Sequence, residues 1–148
     1  MSPNIKRFHA LECQQRKVLL AALVLLPLIG GALRIVGLNR LQAWLEGFPL
    51  NPVQRPCGTQ IAMLNAMVGL GARQVGASCL QRALLLRWLL RRRGLRSELR
   101  IGVRFDDGRL DAHAWLESGG TPIDEAPDIA SRFAVFDRPI ALARWRPS

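Results

Sequence analysis

Between Ser78 and Gly94 the chain reads S-C-L-Q-R-A-L-L-L-R-W-L-L-R-R-R-G, and no other stretch limits the fold as strongly. Leu80, Ala83, Leu84, Leu86, Trp88, Leu89 and Leu90 recur so densely that a helix here is apolar nearly all round. Such a helix has to be covered on several sides, which places it in a core. Its ends are marked. Ser78 suits an N-cap, Arg91, Arg92 and Arg93 complement the negative end of the helix dipole, and Gly94 supplies the C′ stop. The period then changes from helical to two. Leu99, Ile101, Val103 and Phe105 alternate with Arg100, Gly102 and Arg104, the pattern of a half-buried strand. Asp106-Asp107-Gly108 predicts a hairpin turn. The return strand puts Leu110, Ala112, Ala114 and Leu116 on one face and Asp111, His113, Trp115 and Glu117 on the other. Gly119-Gly120 turns the chain into a third short strand, Thr121 to Glu125, closed by the acidic pair Asp124 and Glu125. Ala126 to Phe136 reads as a short capped segment, and Ile140 to Trp145 as an edge strand or tail helix. The resulting class is α+β, a buried helix on a small antiparallel sheet.

The half of the chain before this unit is helical in pattern. Residues 1–17 are polar and mildly basic, and a helix begins among them. The run V-L-L-A-A-L-V-L-L-P-L-I-G-G-A-L from Val18 to Leu33 carries no charge. Three readings compete for it. A membrane span needs about 20 apolar residues, and this run is short of that and holds Pro27, Gly30 and Gly31. A signal peptide would use Lys6, Arg7, Arg16 and Lys17 as its basic region. The preferred reading is a buried or interfacial helix broken near Pro27 to Gly31, then a second helix through Glu46 with Leu38, Leu41, Trp44 and Leu45 at helical spacing. The proline-rich stretch from Phe48 to Gly58 is a linker. Thr59 caps a further helix, from about Gln60 to Leu70, with Ile61, Leu64, Met67 and Val68 on one stripe, and Gly71 and Gly76 punctuate the short segment before Ser78. Residues 1–58 thus form hydrophobic helices and linker, and residues 59–148 form the core unit, the two making one body.

Composition narrows the function. A chain of 148 residues supports one real core. The net charge of +10 rests on arginine, since lysine occurs only at Lys6 and Lys17. A field of that sign attracts acidic peptides, anionic lipid or nucleic acid. Nucleic acid is the weakest of the three, because the arginines lie among apolar helices with no interleaved aromatics and no tyrosine. Cys13, Cys57 and Cys79 form an odd set with no CxxC and no histidine at ligand spacing, so neither a zinc site nor a disulfide framework is expected. The expectation is a chain of the reducing cytoplasm, with membrane association as the variant, needing no cofactor.

The residues able to do chemistry lie in the same stretch. A cysteine at a helix start meets the positive end of the dipole, which stabilises a thiolate. A nearby imidazole takes its proton and later protonates a leaving amine. Of the two histidines, His9 has no acid at strand spacing, whereas His113 lies on the return strand. The acid that orients His113 through its other nitrogen is Glu125 or Asp124 on the next strand. Each has an ordinary reading too: Cys79 as a small core residue, His113 as a half-buried side chain beside Trp115, and Asp124-Glu125 as turn residues ahead of Pro127.

The run Cys79-Leu80-Gln81-Arg82, the helix end L-L-R-R-R-G-L, the strand L-R-I-G-V-R and A-H-A-W-L-E followed by G-T-P-I-D-E closely resemble the standalone leader peptidases of lasso-peptide biosynthesis. The resemblance spans about residues 75 to 137 and implies a papain-type, transglutaminase-like core with a smaller helical half before it. By position, Cys79 is then the nucleophile, His113 the base and Glu125 the acid, with Asp124 adjacent; the superfamily more often uses Asp. The implied reaction is hydrolytic removal of the leader from a ribosomally made precursor, two residues after a leader threonine. The implied partners are that precursor, a small separate leader-recognition protein, and the ATP-dependent cyclase that joins the freed N-terminus to an Asp or Glu side chain. Trp115 and the helix-end arginines are candidates to line the peptide groove. Two rivals remain: an acyltransferase on the same core, in which an amine replaces water, and a non-catalytic, membrane-associated scaffold built on the Val18–Leu33 run.

Overall fold

The computed structural model describes residues 12–48 and 55–136. Helix α1, Cys13–Val36, runs unbroken through Pro27, Gly30 and Gly31, where the sequence pattern predicts an interruption. A proline inside a helix costs about 3 kcal/mol, through a lost N–H and a clash one turn back. Burial of Val18, Leu19, Leu26 and Ile29 along one face outweighs it, at about 1.5–3 kcal/mol for each large side chain. The break falls instead at Gly37, whose φ of 81° suits glycine, and α2, Leu38–Glu46, begins there.

Helix α3, Gly58–Val75, is longer than the stripe of Ile61 to Val68 predicts. Cys57, not Thr59, is the N-cap residue. Its N–H donates to Gln60 Oε1 at 3.2 Å, and its Sγ lies 3.0 Å from the Thr59 hydroxyl. Gly71 is interior rather than a stop, for a packing reason. A Cβ there would stand 2.8 Å from the Ala22 Cβ, so the bare glycine lets α1 and α3 close on each other. The helix ends at Gly76, in the left-handed conformation at φ 65°. Helix α4, Cys79–Arg92, begins and ends where its sequence signals put it.

Strands β1, Glu98–Asp106, and β2, Arg109–Ser118, form an antiparallel hairpin in which Gly102 pairs with His113 and Arg100 with Trp115. Asp107 and Gly108 both have positive φ, 46° and 75°, as a twist-matched two-residue turn requires. The third strand, β3, is Thr121–Pro122 alone. A one-turn helix α5, Ile129–Arg132, leads into β4, Ala134–Val135, which pairs with β1 and gives the order β3-β2-β1-β4. The expected element at Ile140 to Trp145 and most of the Phe48–Gly58 linker lie outside the described residues.

Both faces of the sheet are covered. Ala114 and Leu116 join one continuous apolar cluster that runs back through α4 and α3 to Val18 and Leu19 of α1. Trp115, fully buried, packs on the other face with Ile129 and Phe133. The architecture is α+β: a helical half, a buried helix beginning with cysteine, and a small antiparallel sheet.

Candidate active site

Cys79 is the first residue of α4, and the local sequence fixes that start. The Ser78 Oγ accepts from the Gln81 N–H at 3.3 Å, while Gln81 Oε1 accepts from the Ser78 N–H at 2.8 Å. This reciprocal box leaves the Cys79 N–H among the first-turn donors with no partner inside the helix. The Gln81 amide also reaches across to α1 and donates to the Leu26 carbonyl at 3.0 Å. It sits against Gly30, where a Cβ would collide with it. One side chain therefore caps the cysteine helix and ties it to the long apolar helix.

The half-buried Cys79 lines a cleft of about 540 Å3 between the end of α3 and the start of α4. Asn65, Gly69, Arg73, Gly76 and Arg82 share its wall, and among the described residues no acidic side chain does. Arg82, one turn beyond Cys79, donates to Asn65 Oδ1 at 2.9 Å and to the Asp124 carbonyl at 3.4 Å. Its Nε is buried without a hydrogen-bond partner among the described residues.

His113 and Glu125 are brought together. His113 Nε2 lies 2.8 Å from Glu125 Oε1, with both side chains about a quarter exposed, at 26% and 24%. An ionised carboxylate only accepts, so Nε2 carries the proton it donates, and in the neutral form of the ring Nδ1 is the nitrogen left to accept. The imidazole is stacked on Phe133 at 5.5 Å and on Trp115 at 6.2 Å between ring centroids. Arg104 covers the Phe133 ring at 4.8 Å. The ring's tilt and tautomer are thus set by three neighbours.

Asp124, the other candidate acid, does different work. It is turned inward, and its Oδ1 accepts the Leu116 N–H at 2.9 Å. The sheet explains why. Strand β3 ends at Pro122, so beyond Ile123, whose N–H donates to the Leu116 carbonyl, β2 has no strand on that edge, its other edge being paired with β1. A side-chain carboxylate supplies the missing acceptor. Burial pushes the Asp124 carboxyl above its ordinary value, opposed by the Leu116 N–H and by the Arg82 charge.

Cys79 Sγ makes no hydrogen bond to His113 among the described residues. The bend at 124–125 links the cysteine helix to the histidine through two hydrogen bonds. Its carbonyl at Asp124 is held by Arg82 of the cysteine helix, and its carboxylate at Glu125 by His113. Trp115 is core rather than groove wall. Arg91 and Arg92 sit about 20 Å along α4 from Cys79 at 1.5 Å per residue, where Arg91 holds the Glu46 and Phe48 carbonyls and Arg92 stacks on Trp88. They do not line this cleft. Sequence reasoning passed over Gln81, Arg82 and Phe133. The first was legible in the S-x-x-Q capping pattern, whereas nothing local marks Phe133, which meets His113 only through the fold. Among the described residues no group of three His, Cys, Asp or Glu side chains is placed to hold a metal ion.

No curated protein and no solved structure matches the chain. A family model described as Transglutaminase-like superfamily matches residues 25–137, which takes in about half of α1, all of α4 and the whole sheet. That superfamily includes cysteine proteases and acyltransferases and is generally catalytic. With a cysteine opening the buried helix and, on the adjoining sheet, a histidine paired with an acid from the bend after β3, the chain belongs to the transglutaminase-like superfamily.

Proposed function

We propose that the chain is a cysteine endopeptidase that removes the leader from a ribosomally made lasso-peptide precursor. The observation that carries the reading is the His113–Glu125 pair at 2.8 Å, together with a capped helix that opens with a cysteine in a cleft and whose Arg82 holds the Asp124 carbonyl next to Glu125. In this mechanism Nδ1 takes the Cys79 proton, and the sulfur bonds to the scissile carbonyl carbon. The oxyanion that forms is met by the Cys79 N–H, which as a first-turn donor has no acceptor inside its helix. The tetrahedral adduct collapses, the C–N bond breaks, and the imidazolium gives its proton to the departing amine. Water, deprotonated by His113, then attacks the thioester, releasing the leader carboxylate and restoring the thiol. Glu125 orients the ring and stabilises its charged form. The thiol and Nδ1 must meet for the first step. Catalytic hydrogen bonds in a substrate-free site are often long and tighten around substrate. In the cell the precursor is presented by a separate leader-recognition protein, and the cyclase consumes the product.

The test is mass spectrometry of a precursor incubated with the protein and its recognition partner, beside Cys79→Ala and His113→Ala variants. A single cut that both substitutions abolish is expected. An intact precursor beside an active partner, or a cut that persists in Cys79→Ala, overturns the reading. A product carrying an added amine assigns acyl transfer instead. Thiol alkylation is a second test and needs one precaution. Hydrogen bonds from the Thr59 hydroxyl and the Gln60 N–H hold the exposed Cys57 thiol below its ordinary value, so Cys57→Ser has to be introduced before Cys79 is compared with Cys13.

A further inference from the structure

Helix α1 has two unlike faces. One is buried: Val18, Leu19, Ala22, Leu26 and Ile29 pack into the core. The opposite face is apolar and open, with Leu20 51%, Val24 61%, Leu28 61% and Ile35 84% exposed. Only 28% of the helix's most apolar stretch is buried, although by length and composition the helix is able to cross a membrane. From Leu20 to Ile35 the open face runs about 22 Å at 1.5 Å per residue. Exposed Lys17 stands at one end and exposed Arg34 at the other. On α2, exposed Arg40 lies one turn from Trp44, which is 63% exposed. The two helices carry a single acid, Glu46, and it is paired with Arg87 at 2.7 Å. Where α1 and α2 meet, the surface opens into an apolar groove of about 230 Å3 bordered by Leu28, Trp44 and Trp88.

We infer that this face seats the protein on an anionic lipid surface, with α1 lying in the interface rather than crossing the bilayer. An apolar face flanked by cations, with an exposed tryptophan at its rim, matches the boundary between acyl chains and anionic headgroups. A crossing would require α1 to leave its packing. The Gly71–Ala22 contact and the Gln81 bond to the Leu26 carbonyl would both be lost, and with them the seating of the cysteine helix. A second copy is a poorer occupant. A two-fold contact through this face sets Lys17, Arg34 and Arg40 of each copy against the same charges of the other.

The experiment is co-sedimentation of the full chain with vesicles of phosphatidylcholine, with and without phosphatidylglycerol. Binding is expected to the anionic vesicles and to weaken in high salt. Val24→Glu combined with Leu28→Glu, both at exposed positions, should cut that binding on the order of tenfold or more and leave helicity and melting temperature in place. Lys17→Glu with Arg34→Glu should abolish the preference for phosphatidylglycerol. Quenching of tryptophan by brominated lipid should fall in Trp44→Phe. Equal binding by the Val24/Leu28 variant overturns the inference. So does retention on vesicles after alkaline carbonate extraction, which assigns a span, or a vesicle-independent dimer that the same variant breaks, which assigns a second copy.

Discussion

Replacing Asp124 and Glu125 one at a time tests the proposal that Glu125, paired with His113, serves catalysis while Asp124, paired with the Leu116 N–H, serves the fold. Asp124→Ala removes the acceptor of the Leu116 N–H on fully buried Leu116. A buried donor left unpaired costs about 1–3 kcal/mol. At about 2–4 °C per kcal/mol for a domain of this size, the melting temperature should fall by about 2–12 °C. Activity per folded molecule should fall much less than in the Glu125 variant. Glu125→Ala removes one partly screened hydrogen bond and should cost at most about 1 kcal/mol of stability. It frees the imidazole to rotate and exchange tautomers, however, so cleavage should drop on the order of a thousandfold or more. The assay pairs thermal melting with single-turnover cleavage of the precursor. The reverse pattern, in which Asp124→Ala kills cleavage without lowering the melting temperature while Glu125→Ala stays active, refutes the assignment.

The packing yields three further expected outcomes. Pro27→Ala restores an N–H inside α1 at an exposed position, so it should raise stability by up to about 3 kcal/mol in chemical denaturation; an unchanged midpoint contradicts the cost assigned to Pro27. Gly102→Ala places a Cβ 2.7 Å from the Phe133 Cβ and 3.0 Å from the Trp115 ring, and should destabilise by about 1–3 kcal/mol. Because Phe133 also stacks on His113, that substitution should lower cleavage as well; a neutral effect on both counts argues against the close packing. Asp124→Asn keeps an acceptor for Leu116 and removes the charge. The folded Asp124 carboxyl is raised above 3.8, so its contribution is most favourable below that value and is lost as pH rises through the raised one. The stability of the native protein relative to Asp124→Asn should therefore decline with rising pH across this acidic range and level off above it. A difference that increases with pH contradicts the sign.

The sheet hairpin, the capped cysteine helix and the candidate groups Cys79, His113 and the acidic pair Asp124-Glu125 could be read from residue order. Each rests on a local rule: a capping box, an alternation of period two, an Asp-Gly turn. The rules weakened where a residue's cost is repaid from far away. Pro27 and Gly30 signal a break by themselves, yet α1 continues because distant helices bury its face and Gln81 occupies the space over Gly30. Gly71 reads as a stop and proves to be where Ala22 approaches. Asp124 and Glu125 are adjacent in sequence and alike in chemistry. Only the early end of β3 turns one into the sheet and the other onto His113. Sequence alone determined the hairpin, the buried helix and the candidate reactive groups, because local backbone chemistry and hydrophobic period encode them. Tertiary structure decided which acid serves the histidine, what covers each face of the sheet and which side of α1 remains open, because those depend on contacts between residues far apart in the chain.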